Sequence, residues 1–182
     1  MKVEIETGLL DDASQVLSPN YDERPAPYAI ELLVIHSISL PPGEFGGPYI
    51  DALFTNTLDP ESHPYFRTLQ GMKVSAHALI RRTGNITQFV PFHLRAWHAG
   101  ESCFENRSRC NDFSVGIELE GSDETPYTDA QYTALAGLVC ALLEAYPALT
   151  PERIVGHSDI APGRKTDPGP AFDWPRLRTL LA

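Results

Sequence analysis

The segment Gly156-His157-Ser158-Asp159-Ile160-Ala161-Pro162-Gly163-Arg164-Lys165-Thr166-Asp167-Pro168-Gly169-Pro170 gathers an imidazole, a carboxylate and an ammonium into a stretch stiffened by three prolines and three glycines. Proline removes a backbone donor and fixes φ, and glycine supplies turns that other residues resist, so the spacing predicts an irregular, rigid loop rather than a helix or central strand. A neutral imidazole and a carboxylate are both good zinc ligands, and a nearby lysine can stabilise developing negative charge. Taken alone, the segment fits an ordinary polar surface loop equally well. A third donor is suggested by Glu31-Leu32-Leu33-Val34-Ile35-His36-Ser37-Ile38, where four aliphatic residues run into a histidine. Such a run predicts a buried strand that delivers His36 near its carboxyl end, where ligand sites of α/β sheets gather. Arg153-Ile154-Val155-Gly156-His157 has the same form. His36, His157 and Asp167 then make a His/His/Asp set, and a catalytic zinc normally takes three protein ligands and keeps a fourth position for water.

From Phe113 to Leu119 the odd positions are apolar and the even ones are Ser, Gly and Glu, the alternation of a strand with one buried face. Glu118 and Glu120 share the other face. If that face lines a cleft, one carboxylate can act as a general base; if it meets solvent, both are ordinary charges, and solvent is the default expectation. His77, in a strand, and His98, in a Trp-His-Ala-Gly turn, read as structural or substrate-contacting rather than as ligands.

These side chains need a scaffold. Thr128-Asp129-Ala130-Gln131 has capping-box form, and Tyr132, Leu135, Ala136, Val139, Leu142, Leu143 and Tyr146 recur on one face of a helix that ends before Pro147. Shorter helices are predicted over 48–56, 64–69 and 174–181. Strands are predicted over 75–81 and 86–92, around a Thr83-Gly84-Asn85 turn. Strands mixed with helices predict an α/β fold, a single domain with a mixed central sheet flanked by helices. Residues 1–28 read as an N-terminal arm packed on a domain spanning 29–182. The Pro-, Gly- and aromatic-rich stretch 40–68 is a lid or a long connection, and its length favours a functional loop.

At 182 residues and 42% hydrophobic content, the chain suits one well-buried domain. Its formal charge of −10 argues against nucleic acid or an anionic membrane as partner, so an acidic ligand must rely on local cations such as Lys73, Arg109 and Arg164. Residues 1–12 lack the apolar core of a signal peptide and no transmembrane run appears, so a cytoplasmic location is expected. Cys103, Cys110 and Cys140 form an odd set that suits reduced thiols, with Cys140 expected to pack inside its helix. No self-association segment is evident, and a monomer is expected.

With these residues in view, the chain resembles a known family. His36, Val115-Gly116-Ile117-Glu118-Leu119-Glu120-Gly121 and the loop from His157 to Asp167 are similar to the zinc-dependent N-acetylmuramoyl-L-alanine amidases of the type shared with phage T7 lysozyme and the peptidoglycan recognition proteins. Ser39-Leu40-Pro41-Pro42-Gly43-Glu44-Phe45-Gly46-Gly47-Pro48, His63-Pro64-Tyr65-Phe66, Val74-Ser75-Ala76-His77 and Arg95-Ala96-Trp97-His98-Ala99-Gly100 resemble its cytoplasmic branch, which acts on 1,6-anhydro-muropeptides in cell-wall recycling. The resemblance implies one Zn²⁺ per chain on His36, His157 and Asp167, Glu118 as catalytic acid/base, and Lys165 stabilising the transition state. It implies a small-molecule muropeptide as partner. Ser37 and Lys73 stand where the family usually has asparagine and arginine, and Arg109 matches an arginine that contacts the stem peptide. The alternative is a binding module that holds peptidoglycan fragments without cutting them; such modules lack a zinc ligand, and the complete set here weighs against that.

Overall fold

The computed structural model describes all 182 residues. Six strands form the central sheet: β1 (Ser14–Gln15), β2 (Leu32–Ile38), β3 (Ala78–Ile80), β4 (Ile86–Gln88), β5 (Ser114–Glu120) and β6 (Ile154–Gly156). They lie in the order β6-β2-β5-β3-β4-β1. β6, β2, β5 and β3 run parallel, β3 and β4 form an antiparallel pair, and β1 runs parallel to β4 at the edge. The sheet is therefore mixed, as expected.

The unbroken aliphatic run of β2 reflects cover on both faces, the habit of parallel strands. Leu33 and Ile35 point into a core of 23 buried residues with Val115, Ile117 and Leu119 of β5. Leu32 and Val34 point the other way, against Phe113, Ile160 and Ala99. Burying each such side chain stabilises the fold by roughly 1.5–3 kcal/mol, which fixes the strand's facing and leaves His36 on the side of Leu32 and Val34.

Four helices flank the sheet: α1 (Tyr49–Phe54), α2 (Asp129–Ala145), α3 (His157–Ile160) and α4 (Trp174–Leu181). α2 carries the predicted capping box, with Thr128 Oγ1 accepting from the Gln131 N–H and Gln131 Oε1 accepting from the Thr128 N–H. Its apolar stripe seals one face of the sheet, and the Gln131 amide donates to the carbonyls of Ile80 and Glu120.

Several elements depart from the sequence reading. The strands predicted over 75–81 and 86–92 shrink to three residues each, because the N–H groups of Phe89 and Val90 both turn to the His77 carbonyl and end the ladder. The stretch 64–69 is a 3₁₀ helix. Cys140 lies on α2 but is exposed, one position past Val139 and so about 100° off the core stripe. Segment 40–68, read as a lid or a long connection, buries Leu40, Ile50, Phe54 and Phe66 in a second core. The N-terminal arm, residues 1–28, is paired into the fold. It contributes a Val3–Glu4 to Leu9–Leu10 hairpin, the edge strand β1, and a Tyr21–Asp22 pairing with Arg95–Ala96.

Candidate metal centre

The parallel register builds the site. Glu118 of β5 pairs with His36 of β2, and Gly156 of β6 pairs with Ile35. Three neighbouring strands thus bring Glu118, His36 and His157 side by side toward their carboxyl ends. His157 differs from the expected loop residue in opening the single helical turn α3, where the Asp159 carboxylate accepts from the Gly156 N–H at 2.7 Å. Beyond that turn the chain doubles back. Ser158 N–H donates to the Asp167 carbonyl at 3.0 Å, and Tyr127 Oη donates to the Pro168 carbonyl at 2.8 Å, which returns Asp167 to the two histidines.

The three expected ligands converge. His36 Nδ1 lies 2.9 Å from His157 Nδ1, and Asp167 Oδ2 is 3.2 Å from the first and 3.1 Å from the second. Zinc bonds of about 2.0–2.1 Å at tetrahedral angles set ligand atoms about 3.3 Å apart, so these donors need to open by only a few tenths of an ångström. Two buried imidazole nitrogens pointed at each other need a cation or a proton between them, and a two-nitrogen, one-oxygen set suits zinc. Both histidines are buried and Asp167 is nearly so. Burial lowers the His36 pKa to about 4, so the imidazole is neutral and ready to ligate. Burial opposes ionisation of Asp167, but hydrogen bonds with His157 and His36 outweigh it and hold the carboxylate below its ordinary range.

A cleft of about 600 Å³ opens over this cluster, and His36, Ser37, Glu118, His157, Lys165 and Asp167 all line it. Glu118 is half-buried, with Oε2 occluded and without a hydrogen-bond partner. Desolvation, with the Asp167 charge beside it, pushes its pKa well above the ordinary range, while Lys165 opposes the shift. A carboxyl group that holds a proton readily beside a prospective electrophile is a candidate general acid/base. Lys165 is exposed on the rim.

The remaining expected residues are spread more widely. Ser37 reaches the cleft. Lys73 is exposed on an adjoining pocket of about 170 Å³ that shares Leu53, Leu69 and Met72 with the cleft. Arg109 is exposed at a left-handed backbone position (φ 63°), with Nε 3.2 Å from Asp112 Oδ2, away from the cleft lining. Glu120 corrects the default of a solvated strand face. It is buried, accepting from the Gly46 and Arg82 N–H groups and pairing with Arg81, and so pins the loop that follows β2. The sequence reading gave no metal-directed part to His98, which stands against His36. The signal was the small side chains of Ser114 and Gly116 on the Glu118 face, which leave room for a neighbour.

The sequence model of the N-acetylmuramoyl-L-alanine amidase family matches residues 26–170. The chain belongs to this family. Within it, the chain is 60% identical over 175 residues to the 1,6-anhydro-N-acetylmuramyl-L-alanine amidase AmpD of Salmonella typhimurium (strain SL1344), covering 96% of this chain and 93% of the relative. A crystal structure of a selenomethionine AmpD derivative superposes with a TM-score of 0.96 at 58% identity, covering all of both chains. The Escherichia coli amidase AmiD, solved in complex with the substrate anhydro-N-acetylmuramic acid-L-Ala-D-γ-Glu-L-Lys, matches with a TM-score of 0.62 at 32% identity, covering 88% of this chain and 65% of AmiD.

Proposed function

We propose that this chain hydrolyses the amide between the lactyl group of 1,6-anhydro-N-acetylmuramic acid and L-alanine, with one zinc ion held by His36 Nδ1, His157 Nδ1 and Asp167 Oδ2. The observation that carries the proposal is the meeting of those three atoms beside the Glu118 carboxyl group in one cleft. The name of the Salmonella relative and the ligand of the AmiD complex support the substrate class.

When bound, zinc supplies Lewis acidity that brings the pKa of a water from about 15.7 down to about 7. The protein's own residues do the rest. Glu118 accepts the proton of the attacking water as the oxygen bonds to the lactyl carbonyl carbon. As the C–N bond breaks, the same carboxyl group passes that proton to the departing alanine nitrogen, so one group serves as base and then acid. The Lys165 ammonium faces the carbonyl oxygen as it gains negative charge, where such a donor contributes more to the transition state than to the ground state. Ser37 contacts the substrate in the cleft, Lys73 offers a cation to a stem-peptide carboxylate from the adjoining pocket, and Arg109, outside the cleft lining, serves a part of the peptide that extends beyond it.

No helix is long and apolar enough to cross a membrane. In line with the branch that the sequence resembles, the enzyme acts as a monomer in the cytoplasm. Mass spectrometry of the purified protein with anhydro-muramyl tripeptide, with and without a chelator, tests the proposal. Free tripeptide that appears only with metal present is the expected result. Ligand that binds but persists intact would identify a binding module instead.

A further inference from the structure

With both ligand histidines using Nδ1, each must place its outward Nε2–H, and one short turn receives both. His36 Nε2 lies 2.9 Å from His98 Nδ1, and His157 Nε2 lies 3.1 Å from the Ala99 carbonyl oxygen. Partners of this kind fix the tautomer and ring orientation of a metal-binding histidine. A carbonyl can only accept. His98 accepts at Nδ1 only if its own proton sits on Nε2, and there Ser114 Oγ lies 3.1 Å away. The His36 Nε2–H thus requires the Nε2–H tautomer of His98, and the Ser114 hydroxyl, which can accept as well as donate, accommodates it.

The turn is itself held rigidly. Asn111 Oδ1 accepts from the N–H groups of His98 and Ala99 at 3.2 and 2.8 Å. Arg164, one residue before Lys165, donates to the Ala99 carbonyl at 2.7 Å and to that of Glu101. The His98 ring packs against Gly116, where a Cβ would come within 2.3 Å of the ring. His98 also lines the cleft, and the contacts of its turn and of its ring with Gly116, Ser114 and His36 set its position.

We propose that the His98-Ala99 turn is the outer cradle of the metal centre and that His98 is a positioning residue, setting His36 for zinc through a His36–His98–Ser114 hydrogen-bond chain. The inference rests on the zinc reading given above. Loss of such an outer partner typically weakens metal binding about 10- to 100-fold.

The test measures zinc affinity by chelator competition, together with the visible spectrum of the Co²⁺-substituted protein. His98→Ala should bind zinc about 10- to 100-fold more weakly and shift the Co²⁺ bands. His98→Asn, whose Oδ1 can stand in for Nδ1 as acceptor, should recover most of the affinity. Parent-like affinity and spectrum in His98→Ala, or an asparagine variant as weak as the alanine one, overturn the proposal. Where His98→Ala does not fold, ¹⁵N NMR of the zinc-loaded parent decides. His98 as the neutral Nε2–H tautomer is required, and an Nδ1–H or doubly protonated ring overturns the chain. A parent protein that binds no zinc instead overturns the metal reading itself, so the two failures are distinct.

Discussion

His36 and Glu118 are register partners on adjacent parallel strands, so their side chains leave the same face of the sheet at the same height. Backbone pairing, rather than a loop, thus sets the separation of prospective metal and prospective base, and strand-borne sites hold their geometry better than loop-borne ones. Glu118→Gln keeps shape and polarity but cannot take up a proton. Turnover should fall by about 10²–10⁴ while zinc content by metal analysis stays at the parent level. Loss of metal along with activity would instead make Glu118 part of the binding set.

Lys165 has a simpler environment. It is exposed and makes no side-chain hydrogen bond or ion pair in the structure, so its removal should leave the fold untouched. Lys165→Ala is expected to retain the parent's melting temperature and zinc and to lose about 10²–10³ in turnover. Steady-state kinetics alongside thermal melting checks this, and equal turnover by the two proteins would remove Lys165 from the mechanism.

What the sequence disclosed follows from how local the physical cause was. The Leu32 to Ile35 run, the Thr128 capping box and the Pro/Gly punctuation around Asp167 depend on neighbours within a turn or a strand, and each element formed where its residues imply. Glu120 was illegible because its partners are distant in the chain, Arg81 at 39 residues and Gly46 at 74. Alternation tells that two carboxylates share a face but not what covers it. His98 was hidden for the same reason: its part depends on His36, 62 residues away, and on Ser114, 16 residues on and in a different element. The short β3 and β4 show the converse, since a strand-like pattern gives no warning that two N–H groups will compete for one carbonyl.

Gly116 is set by close approach rather than by backbone conformation. A Cβ there would stand 2.3 Å from the His98 Cγ, and any retreat of the ring would disturb its contacts with Ser114 and His36. Overpacking of this kind costs roughly 1–3 kcal/mol. At about 2–4 °C per kcal/mol for a chain of this size, Gly116→Ala should melt some 2–12 °C lower. It should also bind zinc more weakly than the parent, because the displaced ring can no longer receive His36. Unchanged melting and metal affinity would show that the ring has space to move.

His77 gives the stability a pH dependence separate from the metal ligands. It is wholly buried, its Nδ1 accepting from the Gly116 N–H at 3.0 Å while Nε2 faces the Leu94 carbonyl at 3.1 Å. Burial first, and then the Arg24 guanidinium beside it, lower its pKa from 6.5 to about 3. Between those values the unfolded chain binds a proton that the folded protein refuses, so the unfolded state gains as pH falls. The His77 contribution is therefore full above pH 6.5 and drains away as pH drops toward 3, by at most about 1.4 kcal/mol per pH unit. His77→Gln removes the titration. Urea unfolding of parent and variant at pH 7 and pH 5 should show the parent losing more stability than the variant over that interval. Equal losses would mean that His77 takes up its proton in the folded protein too.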